Sequence, residues 1–310
     1  MSQRPLTYAI IGSGALGGYY GARLLHGGAE VHFLLHSDYE HVAKHGLVVE
    51  STQHDDITLP DVHAYRAVSD MPCCDVVIVG LKSTSNALLA ELLPGVVKDD
   101  GCVLTLQNGL GPEDEAAAVV GAEKVLGGLC FLCSNRVGPG HIKQDRFDHI
   151  KLGEFGKRGI SERMKAIASD FEAGGVRVQL AEDLPAARWE KLVWNVPYNG
   201  LAAVLGVDCS VLMQRVEPLV ADLMFEVVSA ARAVVRHTIP TSFVETMLNN
   251  TRNMDAYKPS MMIDREMGRP MEIEAIYGEP VRRAEAAGCA VPKMRMLYEQ
   301  LKVLDASQQS

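Results

Sequence analysis

An apolar strand that runs into a spaced set of glycines and continues as a helix admits few folds. This chain carries such a passage within its first 35 residues. Tyr8-Ala-Ile-Ile11 reads as the strand, Gly12-Ser13-Gly14-Ala15-Leu16-Gly17 as the turn, and Tyr19 to Leu25 as a helix that ends at Gly27-Gly28. Val31 to Leu35 is a second strand, which completes a βαβ unit. The three glycines serve different ends. Gly12 allows the tight turn, Gly14 lets backbone approach a pyrophosphate, and Gly17 lets helix and strand pack closely. The free N–H groups at the helix start would face the phosphates. A dinucleotide site is the functional reading, with FAD as the competing ligand and a purely structural turn as the plain alternative.

The pattern continues through further strands at Asp75 to Val79, Cys102 to Leu106 and Lys124 to Gly127, each preceded by a helical or polar segment. Such alternation predicts a parallel sheet covered by helices. Between His45 and His63 polar and apolar residues alternate instead, which suggests extra strands or an insertion. From Gly128 to Leu180 short β-like runs (His149 to Leu152, Val176 to Leu180) flank a helix over Ser161 to Ala173 and suggest a mixed sheet edge. Beyond Asp183 helical periodicity dominates, at Ala187 to Asn199, Glu217 to His237, Thr241 to Thr251, Ile273 to Ala287 and Lys293 to Asp305. The expected fold is therefore α/β: a Rossmann-like, mostly parallel sheet over residues 1–182, followed by an all-helical domain over residues 183–310.

Length agrees, because 310 residues exceed what one hydrophobic core usually covers. A composition that is 47% hydrophobic and 22% charged can fill two cores. The net charge of −9, without a long run of one sign, argues against nucleic acid as a partner. The opening MSQRPLTYAIIG lacks the apolar core of a signal peptide, and no uncharged apolar run of about 18 residues occurs, so a cytoplasmic protein without membrane insertion is expected. The seven cysteines are expected to be reduced. Cys130 and Cys133 have the spacing of a redox pair or half a zinc site, but no second ligand pair follows, so two buried thiols is the simpler reading and no metal is expected.

The end of the second strand bears on which dinucleotide binds. NAD-binding versions place an acid there for the ribose 2′-hydroxyl, whereas this strand ends Leu34-Leu35-His36-Ser37, with Asp38 two residues late. His36 and Ser37 could hold a 2′-phosphate, which favours NADP, and His36 reads equally well as a solvated loop histidine. An acid at Asp38 aimed at the same place would repel that phosphate.

Further along, Lys191, Asn195 and Asn199 lie four residues apart and form one stripe on a helix. Their neighbours Trp189, Leu192, Trp194, Val196 and Leu201 are apolar, so the three polar groups need partners, whether in a site or in a buried structural network. With the glycine loop, Val79-Gly-Leu-Lys82, Leu106-Gln-Asn108-Gly-Leu-Gly111 and Lys191-Leu-Val-Trp-Asn195-Val-Pro-Tyr-Asn199, the chain resembles the ketopantoate reductase (2-dehydropantoate 2-reductase) family over nearly its whole length.

That resemblance implies an enzyme of pantothenate biosynthesis that reduces a 2-oxo acid to a 2-hydroxy acid with NADPH. It implies that Gly12, Ser13, Gly14, Ala15, Leu16, Gly17, His36, Lys82, Asn108, Cys133 and Glu272 line the cofactor. Asn108, Lys191, Asn195, Asn199 and Ser260 would hold the substrate, with Lys191 as proton donor and Glu272 at the catalytic centre. Read without the resemblance, Lys258 to Glu274 is a charged, solvated loop and helix start, and Asp264, Arg265, Arg269 and Glu274 keep that reading. The helical domain could also supply a homodimer interface. Two departures stand out: His36 replaces the basic residue usual at the second strand's end, and Asp208 or Cys209 falls where a pocket asparagine is usual. The alternatives are a paralogous dehydrogenase acting on another oxo acid and a non-catalytic NADP(H)-binding sensor.

Overall fold

A computed structural model describes residues 6–254 and 256–308. The first five residues of the opening stretch, Asp255 and the last two residues lie outside the described residues. The chain forms two compact units, Met1–Gln107 with Pro112–Leu184, and Asn108–Gly111 with Pro185–Ser310.

In the first unit β1 (Thr7–Ile11), α1 (Ala15–His26) and β2 (Glu30–Leu34) form the expected βαβ unit, with β1 and β2 paired in parallel from Thr7↔Glu30 to Ile11↔Leu34. There follow α2 (Tyr39–His45), β3 (Leu47–Ser51), β4 (Ile57–Leu59), β5 (His63–Tyr65), β6 (Cys74–Val79), a 3-10 turn (Ser83–Leu88), α3 (Leu89–Leu92), β7 (Val97–Thr105) and α4 (Pro112–Val120). The unit ends with β8 (Val125–Gly138), β9 (His141–Glu154), α5 (Glu162–Ala173) and β10 (Arg177–Ala181). The strands make one sheet ordered β4-β3-β9-β8-β7-β6-β1-β2-β5, with β10 also on β9. Among the described residues only the β3–β4 and β8–β9 pairs are antiparallel.

Without β3 and β4, the run β5-β2-β1-β6-β7-β8 has the doubly wound order 3-2-1-4-5-6. The order reverses beside β1, and in such sheets ligands bind beyond the strands' carboxyl ends at that point. The segment read as extra strands or an insertion is the antiparallel β3–β4 pair, carried by β9. β1 is buried along its whole length because apolar clusters cover both faces of the sheet. Tyr8 and Ile10 pack with Tyr20, Leu24, Phe33 and Phe171 on one side, and Ala9 and Ile11 with Val77, Val79, Leu93 and Val103 on the other.

The region beyond Gly128 differs from its reading as short runs, since β8 and β9 form a hairpin of two 14-residue strands. Gly127 and Gly128 do not break it. A Cβ on Gly127 would come within 2.5 Å of Glu113 Oε1, and one on Gly128 within 2.7 Å of Leu106 Cδ2. These glycines mark close approach inside a strand rather than its end.

The second unit is helical: α6 (Leu184–Leu205), α7 (Cys209–Val235), α8 (Thr241–Arg252), α9 (Ser260–Glu266), a π-helical turn (Glu274–Gly278), α10 (Glu279–Ala286) and α11 (Pro292–Gln308). α6 stays helical through Pro197. α7 begins eight residues earlier than the periodicity suggested. Val216 leaves helical geometry (φ −137°) just ahead of Pro218, which hides the continuity from a sequence reading. The carboxylate of Asp208 starts this helix by accepting hydrogen bonds from the Ser210 and Val211 N–H groups at 2.8 and 3.2 Å. Glu226 of α7 does the same for α11, accepting from the N–H groups of Lys293 and Met294. Trp189, Tyr198, Leu223 and Tyr277 anchor the core of the unit, each worth roughly 1.5–3 kcal/mol of transfer free energy.

The charged stretch before Glu272 is not simply solvated. Asp264 is buried and paired with Arg269, and Arg265 donates to the carbonyl oxygen of Ala203. A helix of seven residues turns the Asp264 side chain inward, which charge content alone does not reveal.

Candidate active site

The glycine loop is shaped by backbone. Gly12 takes φ +93°, and a Cβ there would lie 2.5 Å from the Leu81 N, so only glycine fits. A Cβ on Gly17 would lie 2.3 Å from the Gly12 carbonyl oxygen, the close helix packing expected of the third glycine. Gly14 differs, with no atom within 4 Å of where its Cβ would stand. It is the N-cap of α1, which has no side-chain cap and no acid in its first turn. Open space over an uncapped helix start, with unopposed N–H groups, fits the pyrophosphate of a dinucleotide. Ser13 Oγ donates to the Leu34 carbonyl oxygen at 3.0 Å and ties this loop to the end of β2.

The remaining residues expected around the cofactor in this unit are spread over three elements. His36 is exposed just past β2. Lys82 is half-buried at the start of the 3-10 turn that follows β6, and Cys133 sits at a register shift in β8. Asp38, the acid that followed the strand end, is buried. It accepts hydrogen bonds from Ser37, Arg136 and the Gly140 N–H. Burial works to raise its pKa, but those hydrogen bonds outweigh it, and the carboxyl titrates below its ordinary value. All seven cysteines are free thiols. Burial pushes Cys74 up to about 11 and Cys102 up to about 12, so neither is a thiolate at neutral pH. Among the described residues no group of His, Cys, Asp and Glu is arranged to hold a metal.

In the second unit the structure gathers side chains that are far apart in sequence. Lys191 Nζ donates to Asn108 Oδ1 at 2.9 Å, and Asn108 Nδ2 donates to Glu272 Oε2 at 3.4 Å. Asn108 therefore bridges an ammonium and a buried carboxylate. The bridge is set by close backbone contact: the Leu110 N–H donates to the Ala275 carbonyl oxygen at 2.8 Å. Gly109 has φ +83°, and a Cβ on it would meet that same oxygen at 2.1 Å. Ala275 lies in the π-helical turn that begins two residues after Glu272, so one contact places both members. The sequence signal for this turn is the Asn108-Gly109 pair itself.

The Lys191 stripe divides into different environments. Asn199, 3% exposed, accepts hydrogen bonds from Ser260 Oγ at 3.3 Å and the Met261 N–H at 3.1 Å. Asn195, 7% exposed, makes no side-chain hydrogen bond among the described residues. Its amide atoms keep access to solvent, so its donor and acceptor stay available to a ligand. An ammonium, a bridging amide, a buried carboxylate and an open amide can together bind a carbonyl oxygen and deliver a proton to it.

Residues 8–157 match the family Ketopantoate reductase PanE/ApbA, and residues 183–305 match its C-terminal region. The chain belongs to the ketopantoate reductase family. A 2-dehydropantoate 2-reductase of Nostoc sp. is 51% identical over 304 residues, spanning 96% of this chain and 95% of that protein. The crystal structure of a 2-dehydropantoate 2-reductase from Geobacter metallireducens is 44% identical and superposes with a TM-score of 0.93, covering 96% of this chain and 99% of that one. Another, from Methylococcus capsulatus, is 32% identical with a TM-score of 0.91 and covers 98% of each chain.

Within the ketopantoate reductase family the departure at Asp208 and Cys209 takes on structural meaning. Asp208 has its carboxylate engaged in starting α7, and Cys209 is fully buried. The Asp208 carboxyl lies below its ordinary pKa, chiefly through the Ser210 hydroxyl, so it caps as an anion.

Proposed function

We propose that this protein reduces 2-dehydropantoate to pantoate with NADPH. The observation that carries the reading is the Lys191–Asn108–Glu272 hydrogen-bonded line beside the open amide of Asn195, in a chain of the ketopantoate reductase family. The glycine loop Gly12–Gly17 would hold the pyrophosphate through backbone N–H groups. His36, Lys82, Asn108, Cys133 and Glu272 would line the rest of the cofactor. NADPH, when bound, supplies the hydride for the ketone carbon.

The chain's own residues handle charge and geometry. As the substrate's carbonyl oxygen gains negative charge, the Lys191 ammonium stabilises it and donates the proton that makes the hydroxyl. Asn108 orients that ammonium by accepting from Nζ, and Glu272 holds Asn108 by accepting from Nδ2. Asn195 supplies hydrogen bonds to substrate oxygens. Ser260 donates its hydroxyl proton to Asn199 Oδ1 in this structure and would turn that O–H to the substrate carboxylate on binding.

The reading is tested by following the nicotinamide absorbance with a panel of 2-oxo acids. Turnover of 2-dehydropantoate with the highest kcat/KM is expected. A higher value for another oxo acid would assign a different substrate, and turnover of none would leave a cofactor-binding sensor. No helix among the described residues is long and apolar enough to cross a membrane. A cytoplasmic location and a homodimer complete the proposal, tested by cell fractionation and by light scattering on a sizing column.

A further inference from the structure

β2 ends without the base that would pair a 2′-phosphate, yet a cation stands beside that end from a distant part of the chain. Arg136 of β8 donates through Nη1 to Ser37 Oγ at 3.2 Å and also to Asp38 Oδ1. Its side chain is 47% exposed, and Nε and Nη2 make no hydrogen bond among the described residues. The contacts of Asp38 explain why this acid does not oppose a phosphate: one oxygen receives Arg136 and Ser37, and the other receives the Gly140 N–H at 3.2 Å. The carboxylate is thus spent on holding the β8–β9 hairpin, while His36 and Ser37 remain exposed.

Two further contacts place this edge along the path of a dinucleotide. Ser134, two residues before Arg136, donates to the Ala15 carbonyl oxygen at 3.1 Å, at the first residue of α1. Ser13 ties the same loop to Leu34 at the end of β2. β8 therefore runs from the pyrophosphate loop to the β2 end, the direction in which the adenosine ribose extends from the pyrophosphate.

We infer that Arg136 is the residue that selects NADPH over NADH, its free guanidinium edge pairing the 2′-phosphate together with Ser37 and His36. A guanidinium suits this role because its planar fork meets phosphate oxygens in pairs and stays charged at any working pH. The inference rests on the proposed use of a nicotinamide dinucleotide and adds the residue that chooses between its two forms.

The test titrates the whole, cofactor-free protein by calorimetry with adenosine 2′,5′-bisphosphate and with adenosine 5′-monophosphate. Arg136→Gln should weaken the bisphosphate by about 10- to 100-fold, the loss expected for a charge-assisted hydrogen-bonded contact, and leave the monophosphate nearly unchanged. Arg136→Lys, which keeps the charge, should recover part of the loss. In turnover the ratio of kcat/KM for NADPH over NADH should fall by a similar factor at unchanged kcat. An equal loss for both probes would make Arg136 a hairpin anchor and overturn the inference. So would no loss for either, or a lysine variant no better than glutamine. If the unmodified protein binds neither probe, the dinucleotide reading falls as well. If it binds both and Arg136→Gln changes nothing, only the role of Arg136 falls and the reductase reading stands.

Discussion

The glycine loop and the Lys191 stripe are both proposed to hold a small molecule, but they are built by opposite means. At the loop, backbone does the shaping: Gly12 and Gly17 are required by carbonyl and amide atoms under 3 Å from any Cβ, and no side chain caps α1. At the stripe, side chains do it: an ammonium, an amide and a carboxylate from three separate stretches of chain, Lys191, Asn108 and Glu272, are joined by hydrogen bonds and one pinned turn. A backbone site refuses an added atom wherever main chain stands close, as at Gly12 and Gly17, and accepts one only where space is open, as at Gly14. A side-chain site is non-local, and each member can be removed while the scaffold stands.

The largest expected effect breaks the side-chain site alone. Lys191→Ala should lower kcat by about 100- to 10,000-fold, the range for loss of a general acid, while NADPH titration gives a nearly unchanged affinity. A parallel loss of cofactor affinity would mean that the two sites are not separable. Next come the glycines, where the contrast is sharpest. Gly17→Ala forces a Cβ against the Gly12 carbonyl and should cost about 1–3 kcal/mol or more in chemical denaturation, together with cofactor binding. Gly14→Ala meets open space, so stability should hold while dinucleotide affinity drops severalfold. Equal melting losses for both would contradict a loop in which only some glycines are structural.

The two buried amides separate in the same manner. Asn199→Ala removes the acceptor for Ser260 and the Met261 N–H and should destabilise by about 1–3 kcal/mol. Asn195→Ala breaks no side-chain hydrogen bond among the described residues, so it should leave the denaturation midpoint nearly in place and raise KM for the oxo acid. The smallest effect belongs to Asp208→Ala, which removes a helix cap worth about 0.5–2 kcal/mol and should leave kcat/KM unchanged. The Asp208 pKa is depressed in the folded state, so its contribution is complete at neutral pH and is lost as pH falls through the lowered value. The difference in Tm between the parent and Asp208→Ala should therefore shrink on acidification.

Legibility followed the range of the interactions. β1, α1 and β2 could be read because strand period, glycine spacing and helix formers sit side by side. The long β8–β9 hairpin was underestimated because Gly127 and Gly128 look like breaks when their neighbours Glu113 and Leu106 are out of view. The start of α7 was missed because Pro218 dominates its local pattern, while the cap at Asp208 shows only in hydrogen bonds. Asp264 looked solvated because charge suggests exposure, and its pairing with Arg269 depends on how a seven-residue helix is turned.

Sequence alone was enough for the glycine loop of a βαβ unit, a mostly parallel sheet followed by helices, and the polar stripe Lys191, Asn195 and Asn199 on one helix. All of these depend on periods and spacings within a few residues. Folding in three dimensions was needed to bring Asn108 between Lys191 and Glu272, to leave Asn195 open while Asn199 is engaged, and to set Arg136 beside Ser37 with Asp38 turned away. Those outcomes depend on residues about 60 to 160 positions apart, where no local periodicity carries information and only packing decides which polar group finds a partner.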